Sequence, residues 1–293
     1  MLSTDENFEL NRKISDSCVL VVQSCDAYED VWSMFFSALS EHWPGCNLNI
    51  ILNTETKTTT FGNLKINKIN YNCNLTKPFW GERLLNILKN IERDFIIVLF
   101  DDFILEEDVN LKKINYCIDM MNSNSDIGVF YFNNNPEAKI KSLNGFSKLG
   151  KFADYKVNSS PAIWRKTVLQ EMTSVIDNPW AWEFFGSARA YGDKYEFHCS
   201  VPDEEDTFVY QYQLGGAIRR GKWVEAVILP AIKKYNLPLN PSIRGFSSES
   251  LSEGKYSFSW KVNFIRLGFK MVGFRAIIPL LKAILHKARR IFS

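Results

Sequence analysis

The segment Phe95-Ile96-Ile97-Val98-Leu99-Phe100, followed at once by Asp101-Asp102, constrains the fold more than any other feature of the chain. Six consecutive apolar residues leave no wet face, so the run predicts a central strand covered on both sides. A sheet covered on both faces requires helices on each, which is the α/β class. Two adjacent carboxylates at the strand's end raise each other's pKa unless a cation or strong donors compensate. A divalent ion, Mn²⁺ or Mg²⁺, would do so, taking one or two carboxylates and completing its shell with phosphate oxygens and water. A plain turn is the competing explanation, since Asp favours turns.

The rest of the chain supports an alternating arrangement. Cys18 to Gln23 reads as a buried parallel strand running into Ser24-Cys25-Asp26. Tyr28 to His42 carries apolar residues at helical spacing and stops near Pro44-Gly45. A second strand is expected at Leu48 to Leu52, a weaker one at Leu64 to Ile69, and a helix at Trp80 to Ile91. Further on, a helix is expected at Asn110 to Met121, a strand at Ile127 to Phe132 and a turn at Asn133 to Pro136. Lys139 to Val157 suggests two short antiparallel strands. Pro161 to Ile176 and Pro179 to Ala190 read as helices, and Phe208 to Ile218 as a late strand or hairpin.

Composition removes several function classes. An apolar fraction of 46% is that of a folded protein, and a net charge of +2 gives no electrostatic case for nucleic acid. The six cysteines stand singly, which suggests reduced thiols in the cytoplasm rather than a disulfide or zinc framework. The polar, acidic start lacks the features of a secretory signal, and no apolar run is long enough for a spanning helix.

A second group that can carry chemistry is Asn178-Pro179-Trp180-Ala181-Trp182-Glu183, an acid among aromatics. Desolvation there raises a carboxylate's pKa toward that of a useful base. A helix-terminal Glu with core tryptophans is the bland alternative. Trp180 and Trp182 are equally suited to stacking on a sugar. Arg83, Arg219, Arg220 and Lys222 are candidates to offset charge on a departing diphosphate, with Gly215 and Gly216 beside the last three.

Trp80 to Leu85 followed by Ile96 to Phe103 resembles the helix, strand and acidic motif of glycosyltransferases with the GT-A fold. The turn here is Phe-Asp-Asp-Phe rather than a strict DxD. The resemblance implies a mixed, mostly parallel sheet flanked by helices, a nucleotide-sugar donor, and metal on Asp101 and Asp102. It implies a nucleotide pocket near Ser24, Asp26, Glu55, Arg83 and Asp101. It makes Val157 to Lys166 an acceptor-side strand and following helix, Glu183 the general base of an inverting transfer, and late His198 a conceivable metal ligand beside the acidic run 203–206. A nucleotidyl or phosphoryl transferase, and a non-catalytic carbohydrate-binding protein, are the alternatives.

The chain's last part differs in character. Residues 1–240 are expected to form the catalytic domain, 241–255 a Ser- and Gly-rich linker, and 256–293 a basic amphipathic helical segment. From Trp260 on, large apolar residues interleave with Lys and Arg and no acid occurs. That pattern suits an interfacial helix on the inner face of the cytoplasmic membrane, and with it a saccharide or lipid-linked acceptor in surface polysaccharide synthesis.

Overall fold

A computed structural model describes residues 3–67, 79–135, 138–143, 145–201, 206–211, 214–238, 240–247 and 257–292. The chain opens with helix α1 (Thr4–Ser17), β1 (Cys18–Gln23), α2 (Glu29–His42), β2 (Asn49–Asn53) and β3 (Lys65–Asn67). It continues through α3 (Trp80–Lys89), β4 (Phe95–Phe100), α4 (Leu111–Ser123) and β5 (Ile127–Asn134). A hairpin, β6 (Ala138–Leu143) and β7 (Phe146–Leu149), leads to β8 (Ala162–Arg165), α5 (Lys166–Met172), α6 (Pro179–Phe184) and β9 (Glu196–Ser200). A small hairpin, β10 (Ile218–Arg219) and β11 (Lys222–Trp223), and helix α7 (Glu225–Tyr235) follow. Helices α8 (Phe258–Val272) and α9 (Ile277–Phe292) end the described chain.

The described strands β1 to β9 form one sheet in the order β3-β2-β1-β4-β8-β5-β9-β7-β6. Only β8 and β7 run against the others, so the sheet is mixed and mostly parallel, the α/β class expected. Strands β1 and β4 pair in parallel, while β2 and β3 extend from the other side of β1. The order therefore reverses between β1 and β4, where α/β sheets place ligands beyond the strands' carboxyl ends.

Alternation along these central strands divides the interior in two. Leu20, Val22, Ile97 and Leu99 enter one core with residues of α2, α4 and α7. Val19, Val21, Ile96 and Val98 enter the other with α3 and α5. Each strand is apolar on both faces because each face has its own layer of helices.

The structure differs from the sequence expectation at three places. The expected helix from Pro161 to Ile176 begins as strand β8, with Ala162, Ile163 and Trp164 sandwiched between β4 and β5, and becomes helical only at Lys166. A short apolar run is ambiguous by periodicity, and the two strand neighbours decide it. The expected helix Pro179–Ala190 is α6 followed by a 3-10 turn over Gly186–Arg189. The turn expected at Asn133 is instead the end of β5, while Pro136 lies outside the described residues, as do Lys68 and Ile69 of the weak third strand.

The basic C-terminal segment is helical but broken, because Gly273 at φ +60° ends α8. Phe264, Leu267 and Met271 of α8 pack on Ala181 and Phe185 beside α6, and Gly268 lets the helix settle directly on the Phe185 ring. Residues 241–247 of the expected linker are docked: Arg244 pairs with Asp30, and Ser247 N–H donates to the Trp223 carbonyl at 2.7 Å. Residues 248–256 lie outside the described residues.

Candidate active site

Asp101 and Asp102 follow β4 at the switch point, and Asp101 N–H donates to the Gln23 carbonyl of β1 at 3.2 Å. The two carboxylates have different surroundings. Asp101 is 2% exposed, and its Oδ2 accepts from the Ser24 hydroxyl and from Trp32 Nε1 at 3.1 Å. Burial and neighbouring Asp102 hold its pKa well above the carboxylate range despite those two donors. Asp102 is partly exposed, and burial pushes it up to about 7. Of the two carboxylates expected to hold a metal, Asp101 is enclosed and its Oδ2 serves two donors, whereas Asp102 is partly exposed and could take an ion. One carboxylate with phosphates and water fits the coordination habit of Mg²⁺ or Mn²⁺. No group of three or more acids, histidines or cysteines placed to hold a metal occurs among the described residues.

Ser24, Asp26, Glu55 and Arg83 lie in one hydrogen-bonded network. Buried Arg83 donates to Glu55 Oε1 at 2.6 Å, to the Ser24 carbonyl at 3.1 Å and to Asn53 Oδ1 at 3.3 Å. Glu55 Oε2 accepts from Asp26 N–H at 2.6 Å. The Asp26 carboxylate caps the next loop, accepting from the Thr56 and Lys57 N–H groups at 2.9 and 3.0 Å. Partial burial raises the Asp26 pKa, but these bonds and the Thr56 hydroxyl outweigh it and leave it lowered. In this state the network is internally satisfied: it shapes the ends of β1 and β2 rather than presenting loose charges.

The glycine loop also reaches the acidic turn. Ala217 N–H donates to the Asp102 carbonyl at 2.5 Å, and Gly216 at φ +82° lies against the Asp102 carboxylate. Arg219 is turned back onto the Leu214 carbonyl, and Lys222 is exposed on the small hairpin. The sequence reading missed Arg244, which stacks over the Tyr28 and Trp223 rings at 5.1 and 4.9 Å and ties this hairpin to the loop after β1. Burial, with the Asp102 charge adding to it, pushes the Tyr28 phenol up to about 12.

Glu183 sits in the second turn of α6, not at its start. Asn178 caps that helix by accepting from Ala181 N–H at 2.9 Å, and Pro179 occupies its first turn. Glu183 Oε1 accepts both donors of Ser159, the N–H at 2.7 Å and the hydroxyl. Burial raises the Glu183 pKa against the pull of those bonds. Its side chain lines a cavity of about 770 Å³ with Tyr131, Asn133, Tyr155, Asn158 and Phe184, and the facing wall is α9. Tyr155 holds the left-handed conformation at φ 49°, uncommon for a large side chain.

Strand direction sets Ser159 at the sheet edge that carries the acidic turn. In the β4 and β8 ladder, Val98 lies opposite Ala162 and Ile97 opposite Ile163. Because β8 runs against β4, Ser159, which precedes β8, lies at the same edge of the sheet as Asp101, which follows β4. Glu183 and the acidic turn thus share one rim of the sheet. Tyr210 bridges it from the side, packing on Phe103 at 4.6 Å and accepting from Asn133 Nδ2 at 2.9 Å.

Other expected residues are elsewhere. Trp182 is 2% exposed, packs on Trp80 and Trp164, and donates to the Met172 carbonyl, so it is core and does not present a stacking face. Trp180 is 67% exposed and outside the cavity lining. His198 is buried on β9 against Phe130, 3.1 Å from Glu196. Of the acidic run 203–206, only Asp206 is among the described residues.

No family model matches the sequence, and no curated protein matches it. Among solved structures, the chain is similar to the 1–349 fragment of Staphylococcus aureus TarS, with a TM-score of 0.45 and 12% identity over 89% of this chain and 82% of that one. The same fragment in complex with UDP gives 0.47 and 15% identity over 94% and 87%. A cytidylyltransferase from Leptospira borgpetersenii gives 0.39 and 13% identity over 79% and 98%. The strand order and the switch point between β1 and β4 define the fold.

Proposed function

We propose that the chain is an inverting glycosyltransferase that moves a sugar from a nucleotide-sugar donor to a saccharide or lipid-linked acceptor. The observation that carries this reading is Glu183: a carboxylate of raised pKa, anchored through one oxygen and lining a large cavity, on the rim that also holds the acidic turn. A base for an acceptor hydroxyl needs that combination of geometry and proton affinity.

In this reading the nucleotide lies over the ends of β1, β2 and β4, positioned by the Arg83, Glu55 and Asp26 network and the Gly216 loop. Asp102 would hold a divalent ion, which when bound neutralises charge on the departing diphosphate. Ser159 fixes the Glu183 carboxylate, leaving Oε2 to take the acceptor proton as the hydroxyl attacks the anomeric carbon. Attack opposite the leaving group inverts that centre. The C-terminal helices give peripheral contact with the cytoplasmic membrane leaflet, consistent with surface-polysaccharide synthesis.

The run Glu106-Glu107-Asp108 would be the acid supply for a nucleotidyl transferase, but Glu106 accepts from Gln211 and Asp108 stands beside His42. Melting-temperature shifts with UDP-, GDP-, CMP- and dTDP-sugars, with and without Mn²⁺, test the glycosyltransferase reading. One sugar nucleotide should stabilise the protein and be consumed with an acceptor; no shift with any of them would defeat it.

A further inference from the structure

Helix α9 has two opposed faces. Pro279, Lys282, Ala283, His286 and Lys287, at helical spacings of three and four, wall the cavity that Glu183 lines. Ile277, Leu281, Ile284 and Leu285 share the opposite side, where the last three are 54%, 63% and 57% exposed. Phe274, in the 3-10 turn before the helix, is 85% exposed. A contiguous apolar stripe left in water marks a docking surface rather than a solvated face.

Charge selects the occupant. Residues 257–293 contain eight Lys or Arg and no Asp or Glu. A protein partner of mixed charge gains little from that, whereas an anionic lipid surface gains from each cation near it and receives the apolar stripe between its headgroups. No helix among the described residues is long and apolar enough to cross a membrane, so the helix would lie in the interface.

The inner face is fastened to the cavity. Lys282 Nζ binds Asp154 at 2.8 Å and the Phe152 carbonyl, and His286 lies 3.0 Å from the same Asp154. We infer that α9 docks on an anionic bilayer through Phe274, Ile277, Leu281, Ile284 and Leu285, and that its inner face receives an acceptor carried by a lipid of that bilayer. The assignment of acceptor rests on the glycosyltransferase reading; the docking does not. Lys287, for which no ion pair occurs among the described residues, supplies charge for the acceptor's anionic headgroup.

The test uses the full chain with vesicles of phosphatidylcholine, alone or with phosphatidylglycerol. Wild type should float with the anionic vesicles only, and Leu281→Glu with Leu285→Glu should lower the bound fraction about tenfold or more. Both positions are exposed, so an unchanged thermal melt should accompany the loss. Hydrogen exchange on anionic vesicles should slow at residues 277–288 and, through Asp154, at 152–158. Absence of flotation, or flotation kept by the double variant, overturns the docking; unchanged exchange at 152–158 overturns the coupling to the cavity. Donor hydrolysis without acceptor should be equal in both proteins, and its absence from both would defeat the glycosyltransferase reading while leaving the docking result intact.

Discussion

Gly216 and Asp102 compete for the same space: a Cβ on Gly216 would lie 2.8 Å from the Asp102 Oδ2 and 2.9 Å from its carbonyl oxygen. The loop that carries Gly216 at φ +82° is thereby fitted to the acidic turn as a lid is to a rim. Gly216→Ala should displace the Asp102 carboxylate and strain a left-handed backbone, costing about 1 kcal/mol or more of stability. Calorimetry should show that loss, and the Mn²⁺-dependent donor shift should fall with it. A variant with wild-type melting and donor response would mean that the two residues do not constrain each other.

Asp102 gives a pH-dependent signature. Its pKa of about 7 in the folded chain exceeds the unfolded value of about 3.9, so the folded state holds the extra proton. Stability from this group is therefore full below about pH 4 and is lost as pH rises through about 7. A cation at the carboxylate should repair the loss, raising the melting temperature more at about pH 8 than at about pH 5. Asp102→Asn should flatten that pH dependence and abolish the Mn²⁺ effect. An Mn²⁺ shift surviving in Asp102→Asn would place the ion elsewhere.

Glu183 and Ser159 make the corresponding prediction for transfer. Burial already lifts the Glu183 pKa, and Ser159 partly restrains it. Ser159→Ala removes the hydroxyl donor but keeps the N–H bond, so the pKa should climb and the acidic limb of kcat/KM should move to higher pH. Glu183→Gln should lose transfer by about a hundredfold or more while retaining donor affinity. Titration calorimetry of the donor and a pH profile of transfer separate binding from chemistry. A pH limb indifferent to Ser159→Ala would remove Ser159 from the role of positioning residue.

Much of this was legible in the chain, for reasons visible in particular residues. Phe95 to Phe100 announced a central strand because each face of that strand meets its own core, and the Arg83 segment was placed correctly by its helical period. The aromatic setting of Glu183 was legible in the sequence, but its partner was not: Ser159 reaches it through the antiparallel insertion of β8, a non-local pairing that no local period encodes. Helix α1 went unread although Ser3 accepts from Glu6 N–H at 3.1 Å, a capping signal present in the sequence as Ser-x-x-Glu. The α9 wall of the cavity was hidden for a different cause, since an amphipathic period shows that a helix has two faces and not what each one meets.

The two tryptophans near Glu183 have opposite roles, although one residue separates them. Trp182 is enclosed by Trp80 at 5.4 Å and Trp164 at 6.0 Å, and its Nε1 donates to Met172 O at 2.9 Å. Its replacement by Ala opens a cavity in the aromatic stack, while the Met172 carbonyl keeps its second donor, Arg189 at 2.7 Å, so the cost is that of a large core truncation, about 3–5 kcal/mol. Trp180, on the exposed side of α6, makes Trp180→Ala a surface change worth within about 0.5 kcal/mol. Denaturant unfolding of both variants should separate them by several kcal/mol, and the Trp182 variant should lose transfer as a consequence of losing the fold. Equal stabilities would show that α6 is not held by this aromatic stack, and the placement of Glu183 would then need another support.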